Sequence, residues 1–171
     1  LVSLLFRQVP DHLHVLTQLV ALAAARVAQL AGAPVVLKWP NDLLADGAKL
    51  AGVLAQAGAP DRNGRPAYVV VGIGVNIGWA PPEAACLAMW TRDAMPTPAG
   101  FLETMLAELD VLLALDDDAQ HTLYRESLAT LGSAVRVDLP DGSHLEGRAV
   151  DVERDRRLCV HDECAVTHRI D

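Results

Sequence analysis

Between residues 131 and 134 the hydrophobic period of the chain changes, and this switch constrains the fold more than any other feature. Upstream, Leu16, Leu19, Val20, Ala23, Val27 and Leu30 recur at helical spacing, and so do Leu102, Met105, Leu106, Leu109, Leu112 and Leu113. Downstream, from Ala134 to Asp171, the chain alternates. V-R-V-D-L is followed by a P-D-G turn, H-L-E-G-R-A-V-D-V by a second turn, and then comes R-L-C-V-H. Alternation broken by tight turns every eight to ten residues predicts a small antiparallel sheet or barrel. The division falls near 131–133, giving an α+β body over 1–130 and a small all-β piece over 131–171.

Within the body, Val2 to Phe6 reads as a strand. Asp11 is placed to cap the first helix, and Gly32 to stop it. Pro34 to Trp39 is a strand, Pro40-Asn41-Asp42 a turn, Lys49 to Gln56 a second strand, and Gly58 to Pro66 a polar loop. Tyr68 to Asn76, Y-V-V-V-G-I-G-V-N, is the most β-rich stretch. Gly78 to Pro98 reads as irregular. A last helix after Asp116-Asp117-Asp118 runs to about Leu131 and is closed by Gly132.

Composition narrows the function. A net charge of −8 argues against a broad nucleic-acid surface, which needs clustered Lys and Arg. Three cysteines, Cys86, Cys159 and Cys164, suggest no disulfide framework and fit a reducing cytoplasm. The apolar stretch 13–31 is interrupted by His14, Thr17, Gln18, Arg26 and Gln29, too polar for a membrane span. With no initiator Met before Leu1-Val2-Ser3, the chain reads as a fragment of something longer.

One imbalance stands out. The chain has twelve arginines and only two lysines, Lys38 and Lys49. Lysine is a compact point charge, arginine a planar fork. A pocket that must neutralise a carboxylate and a phosphate in turn, gripping neither bidentately, favours lysine; the plainer alternative is two surface lysines. Asn41 and Asp42 are either ordinary turn residues, or Asp42 holds a metal ion or orients Lys49 with Asn41 in support. Gly72, Gly74 and Gly78 have the spacing G-x-G-x-x-x-G, with Pro81 and Pro82 where a Rossmann helix would start. Glycines inside a strand instead point to a flat ligand lying on the backbone, its edge hydrogen-bonded by Asn76. Cys159, His161, Cys164 and His168 supply zinc-ligand types at a spacing unlike a zinc knuckle. No G-x-S-x-G is present, so a Ser-His-Asp arrangement has no support.

Taken together, K-W-P-N-D at 38–42, K-L-A-G-V-L at 49–54 and V-V-V-G-I-G-V-N at 69–76 closely resemble the biotin protein ligases. The resemblance continues through S-L-L-F-R at 3–7, L-G-S-A-V-R-V at 131–137 and G-R-A-V-D-V at 147–152. It implies a catalytic domain of the class II synthetase/biotin ligase type, with a mixed or antiparallel sheet and packed helices, followed by an SH3-like β-barrel domain that is incomplete at its end. It also implies two half-reactions: ATP, with Mg2+, activates biotin to biotinyl-5′-AMP, and a lysine of a biotin carboxyl carrier protein domain then accepts the biotinyl group.

By this resemblance Lys49 contacts both the biotin carboxylate and the adenylate phosphate, Gly52, Gly72 and Gly74 lie against biotin, Lys38, Asn41 and Asp42 line the nucleotide and metal side, and Asn76 bonds the nucleotide. No metal cluster made of protein ligands is implied, and Mg2+ would accompany ATP near Asp42. Homodimers, where the family forms them, pair sheets of this domain. Two departures matter. The Gly/Arg-rich loop of G-R-G-R-R-G-R type that covers the adenylate is not in the sequence, which predicts an inactive or impaired isolated chain. Gly47-Ala48-Lys49 also stands where the family often has D-R-K. The competing expectations are a lipoate or octanoate protein ligase and a non-catalytic remnant that binds a carrier domain or a nucleotide.

Overall fold

The computed structural model describes residues 1–91, 95–139 and 141–170. In chain order the elements are β1 (Val2–Phe6), α1 (His14–Leu30), β2 (Val35–Lys38), β3 (Asp42–Ala45), β4 (Ala48–Ala57), β5 (Val69–Val75), α2 (Pro98–Leu113), α3 (Asp117–Ser127), β6 (Ala134–Asp138), β7 (His144–Val152), β8 (Leu158–His161) and β9 (Thr167–Ile170). The strands form two sheets with antiparallel pairing throughout: a five-stranded sheet of order β1-β5-β4-β3-β2 and a four-stranded meander β6-β7-β8-β9. The result is a mixed α/β fold.

Alternation along the strands gives the five-stranded sheet one buried face. Val35, Leu37, Leu43, Val53, Val71 and Ile73 are all nearly inaccessible and pack with α1 in one core. Burying one such side chain contributes about 1.5–3 kcal/mol. Helix α1 is itself buried on almost every side, with Ala23, Ala24 and Ala28 fully inaccessible. These small residues let α2 approach closely, through Phe101, Met105, Leu109 and Leu112.

Three sequence expectations change. Asp11 is not a cap: α1 starts after Leu13 with no side-chain cap, and the Asp11 carboxylate pairs with Arg65 at 2.5 Å. The Pro-Asn-Asp segment does not join two strands directly, because Asp42 already begins β3. That strand returns to β4 through Asp46 (φ 48°) and Gly47 (φ 79°), a two-residue Asp-Gly hairpin turn of the kind that needs positive φ at both positions. The last helix ends at Ser127 rather than near Leu131. Leu128 and Ala129 instead run beside β2, where the Ala129 amide donates to the Leu37 carbonyl at 2.9 Å. Gly132 (φ 80°) serves the turn that follows.

Asp116, from the acidic triplet, caps α3, accepting from the Ala119 amide at 2.8 Å. From Gly78 to Thr97 the only helical piece among the described residues is a single 3-10 turn at Leu87–Met89. Pro140 of the expected P-D-G turn and Asp171 at the end of the expected β piece lie outside the described residues. Among the described residues, no helix is long and apolar enough to cross a membrane.

Candidate active site

Opposite its buried face, the five-stranded sheet turns a second face to solvent. Cross-strand register puts Lys38 beside Asp42, Asp42 beside Gly52, and Gly52 beside Gly74. One step along, Leu54 lies beside Gly72, and Gly72 beside Ser3. Directly paired residues share a face, so Lys38, Asp42, Gly52, Gly72 and Gly74 form one patch.

Simple alternation would exclude Lys49, which stands three residues before Gly52 and would point into the core. A register shift between Leu43 and Leu44 inserts one extra residue into β4, so Leu50 and Ala51 are both buried. The bulge re-aims the side chain, and Lys49 emerges on the face of Gly52. Its Nζ meets Asp42 Oδ1 at 2.5 Å. A Cβ placed on Gly52 would lie 3.2 Å from Lys49 Nζ and 3.4 Å from Asp42 Oδ1, so both charged side chains lie over this glycine.

The Lys49 side chain is 55% exposed and that of Asp42 24%. An ion pair this wet contributes about 0–1 kcal/mol, so it is poorly explained as a stability device. It holds an ammonium group in place at the edge of a patch of three glycines. On Gly72 and Gly74 an added Cβ would find only ordinary contacts, 3.7 Å to the Leu54 carbonyl oxygen and 3.6 Å to Leu1 Cδ1 respectively. A planar, partly apolar ligand can approach the backbone there, with Leu54 and Leu5 exposed alongside.

Asn76 sits just past β5. Its amide nitrogen Nδ2 donates to the carbonyls of Ala85 (3.0 Å) and Lys49 (3.3 Å), and its backbone N–H donates to Leu50. It therefore braces the bulge that aims Lys49, a role that sequence reading did not expect. Asn41 lies on the far side of the turn, and its carbonyl accepts from the Val53 amide at 2.9 Å. Beyond it a cavity of about 460 Å3 is lined by His14, Gln18, Trp39, Asn41, Leu54 and Arg156, among others, a volume in the range of small-ligand sites. The motifs pointed to Asn41 but not to His14, Gln18 or Arg156, which reach this wall from remote parts of the chain.

The Cys/His group does not assemble. Cys159 is buried and Cys164 exposed, while the His168 ring bonds the Asp162 carboxylate at 2.8 Å. Among the described residues, no three His, Cys, Asp or Glu side chains are grouped to hold a metal ion.

Known proteins resemble this chain in sequence and in fold. Residues 1–76 match the biotin/lipoate A/B protein ligase family. A biotin–[acetyl-CoA-carboxylase] ligase of Mycobacterium tuberculosis is 38% identical over 130 residues, covering 72% of this chain and 46% of that protein. The chain thus spans less than half of that relative's length. A biotin protein ligase of Aquifex aeolicus superposes with a TM-score of 0.81 at 20% identity, covering 98% of this chain and 76% of that one. The same enzyme in complex with biotin and ATP gives 0.75 at 19% identity, covering 98% and 73%. At such identities the likeness shows the fold.

Proposed function

We propose that this chain, which belongs through residues 1–76 to the biotin/lipoate A/B protein ligase family, is the biotin- and nucleotide-binding part of a biotin protein ligase. In the first step a biotin carboxylate oxygen attacks the α-phosphorus of ATP. A P–O bond forms, the bond to pyrophosphate breaks, and biotinyl-5′-AMP results. In the second step the amine of a carrier-domain lysine attacks the acyl carbon, AMP leaves and an amide forms.

Lys49 is the catalytic contact. Its ammonium group faces the biotin carboxylate and then the phosphate, charge that develops as the two are joined. A preorganised cation needs little reorganisation at that moment, and Asp42 holds it in position. Gly52, Gly72 and Gly74 are the floor against which biotin lies. Lys38, Asn41 and Asp42 form the nucleotide side, and Asn76 contacts the nucleotide while bracing Lys49. The protein offers Asp42 as a single carboxylate, which suits Mg2+ arriving with ATP, since that ion keeps phosphate and water ligands. Bound there, it would neutralise phosphate charge.

Residues 1–130 form the catalytic part and residues 131–171 an SH3-like C-terminal domain, a reading supported by the four-stranded meander. The M. tuberculosis relative's name supports a carrier domain of acetyl-CoA carboxylase as acceptor, and the free cysteines Cys86, Cys159 and Cys164 fit a reducing cytoplasm.

The observation that carries this reading is the Lys49–Asp42 pair set over Gly52, beside Gly72 and Gly74 on the solvent face of the sheet. The test is ATP–pyrophosphate exchange by the full-length protein containing these residues, with biotin, lipoate or octanoate supplied. Exchange that depends on biotin supports it. Exchange driven by lipoate or octanoate instead would transfer the site to the related acyl ligases, and binding without exchange would reduce it to a non-catalytic module. The 171-residue polypeptide alone, which has no G-R-G-R-R-G-R run, is expected to turn over far more slowly than the full-length protein.

A further inference from the structure

Among the described residues, Arg156 is the one buried charged residue, and the proposed chemistry does not explain its location. It lies in the turn between β7 and β8 with φ 75°, a backbone region that L side chains rarely occupy and that glycine would adopt freely. Its side chain is 1% exposed. One guanidinium nitrogen, Nη2, donates to Asp117 Oδ1 at 2.5 Å, while Nε is buried with no hydrogen-bond partner among the described residues. Burial pulls its pKa below the ordinary arginine value, and Asp117 acts against that pull. Backbone strain, a desolvated charge and an unsatisfied donor in one residue persist only where the surroundings over-determine them.

The surroundings are the Trp39–Pro40–Asn41 turn. The Trp39 indole N–H donates to the Arg156 carbonyl at 3.4 Å, and Trp39 and Asn41 line the same cavity wall as Arg156. Tyr124, from the helix whose first turn holds Asp117, reaches the Pro40 carbonyl at 3.5 Å, and the Trp39 amide donates to Thr130 Oγ1 at 2.9 Å. The turn is thus gripped by α3, by the segment after it and by the C-terminal sheet. On its other side it leads directly into Asp42, the partner of Lys49.

We infer that Arg156 is a positioning residue, a strut from the C-terminal sheet that fixes the Trp39–Asn41 turn and thereby the placement of Asp42 against Lys49. It touches no reacting atom. The inference rests on the biotin-ligase reading above for its effect on rate, and on the Trp39 contact for its geometry.

The test uses the full-length protein. Arg156→Gly removes the guanidinium and the backbone strain together, so it is not expected to unfold the turn by conformational conflict. A small displacement of catalytic groups lowers rates on the order of 10–100-fold. We expect kcat for biotin-dependent exchange to fall in that range, with a rise in KM for ATP. Millimolar guanidinium ion should restore part of the loss by refilling the vacated space. Trp39→Phe should reproduce the defect, and the double variant should be no worse than either single one.

Wild-type kcat and KM in Arg156→Gly, or fully additive losses in the double variant, would overturn the inference. If Arg156→Gly does not fold, Asp117→Asn provides the same comparison with the side-chain shape kept. Wild-type protein that shows no exchange would count against the ligase reading instead. In that event the Trp39 indole N–H resonance decides the strut itself: a shift in Arg156→Gly shows that the side chain fixes the turn through its backbone carbonyl, and an unchanged resonance sinks the inference.

Discussion

The two sheets use charge and glycine in opposite ways. Around the four-stranded sheet the cations are arginines held by carboxylates: Arg125 by Asp151, Arg154 by Asp118, Arg157 by Asp155 and Arg169 by Glu153. On the open face of the five-stranded sheet the paired cation is Lys49. Arginine's fork suits a fixed two-point bond to a carboxylate, whereas lysine's point charge can serve two anions in succession. Glycine divides in the same way. At Gly72 and Gly74 an added Cβ would meet only ordinary contacts. At Gly147 of β7, by contrast, an added Cβ would overlap the His161 carbonyl oxygen and lie 2.7 Å from Val160 Cγ1. On the proposed reading one sheet keeps its glycines for a ligand, while the other uses Gly147 for its own packing.

The sharpest way to break this comparison is to exchange the cations. Lys49→Arg in the full-length protein keeps the charge but offers a fork. We expect biotin-dependent exchange to drop on the order of 100-fold or more, the scale of losing one preorganised charge contact, with the melting temperature little changed. Exchange near the wild-type rate would make the lysine bias incidental.

Next in size is Gly147→Ala. Overpacking against backbone destabilises by about 1–3 kcal/mol, so denaturant unfolding should show a clear fall in midpoint with an unchanged slope. A neutral result would mean that β7 and β8 can separate without loss, and the glycine contrast would fail.

How much of this was legible in the sequence differs by level. The stripes of α1 and α2 and the strand Val69–Val75 follow from periodicity, since a buried face leaves the same signature wherever the partner lies. Strand β3 was missed because Pro40-Asn41-Asp42 satisfies every local rule for a turn. The Asp46-Gly47 pair that closes its hairpin was the available signal. The bulge at Leu50 was not legible at all: it is defined by register against β3, and no local pattern in K-L-A-G-V records it. It nevertheless determines whether Lys49 stands on the solvent face or points into the core. Arg156 was hidden for a similar reason, since its position follows from packing against Trp39 and Asp117, remote in sequence.

The smallest effect concerns pH. Asp118 is held below the ordinary carboxylate value first by its hydrogen bond with Arg154, Asp155 by that with Arg157, and Asp162 by that with His168. A carboxyl group with a depressed folded pKa stabilises the fold above its unfolded value, 3.8, and loses that contribution as pH falls through the folded one. Asp118 is exposed and Asp155 and Asp162 are only partly covered, so each effect is small. Melting temperature should stay level from neutral pH to about 5 and decline below about 4. Asp118→Asn should flatten that decline, and an unchanged slope would remove the Arg154 pair from the account.

The central claim is that the glycine patch of Gly52, Gly72 and Gly74 beside Lys49 receives biotin, and calorimetry with the full-length protein tests it most directly. Gly72→Val adds a side chain with room to stand on the open face, so melting should stay within about 1 kcal/mol of wild type. Biotin affinity should fall at least tenfold, which is about 1.4 kcal/mol. Unchanged biotin affinity in a folded Gly72→Val protein would contradict the account, because the ligand would then lie elsewhere.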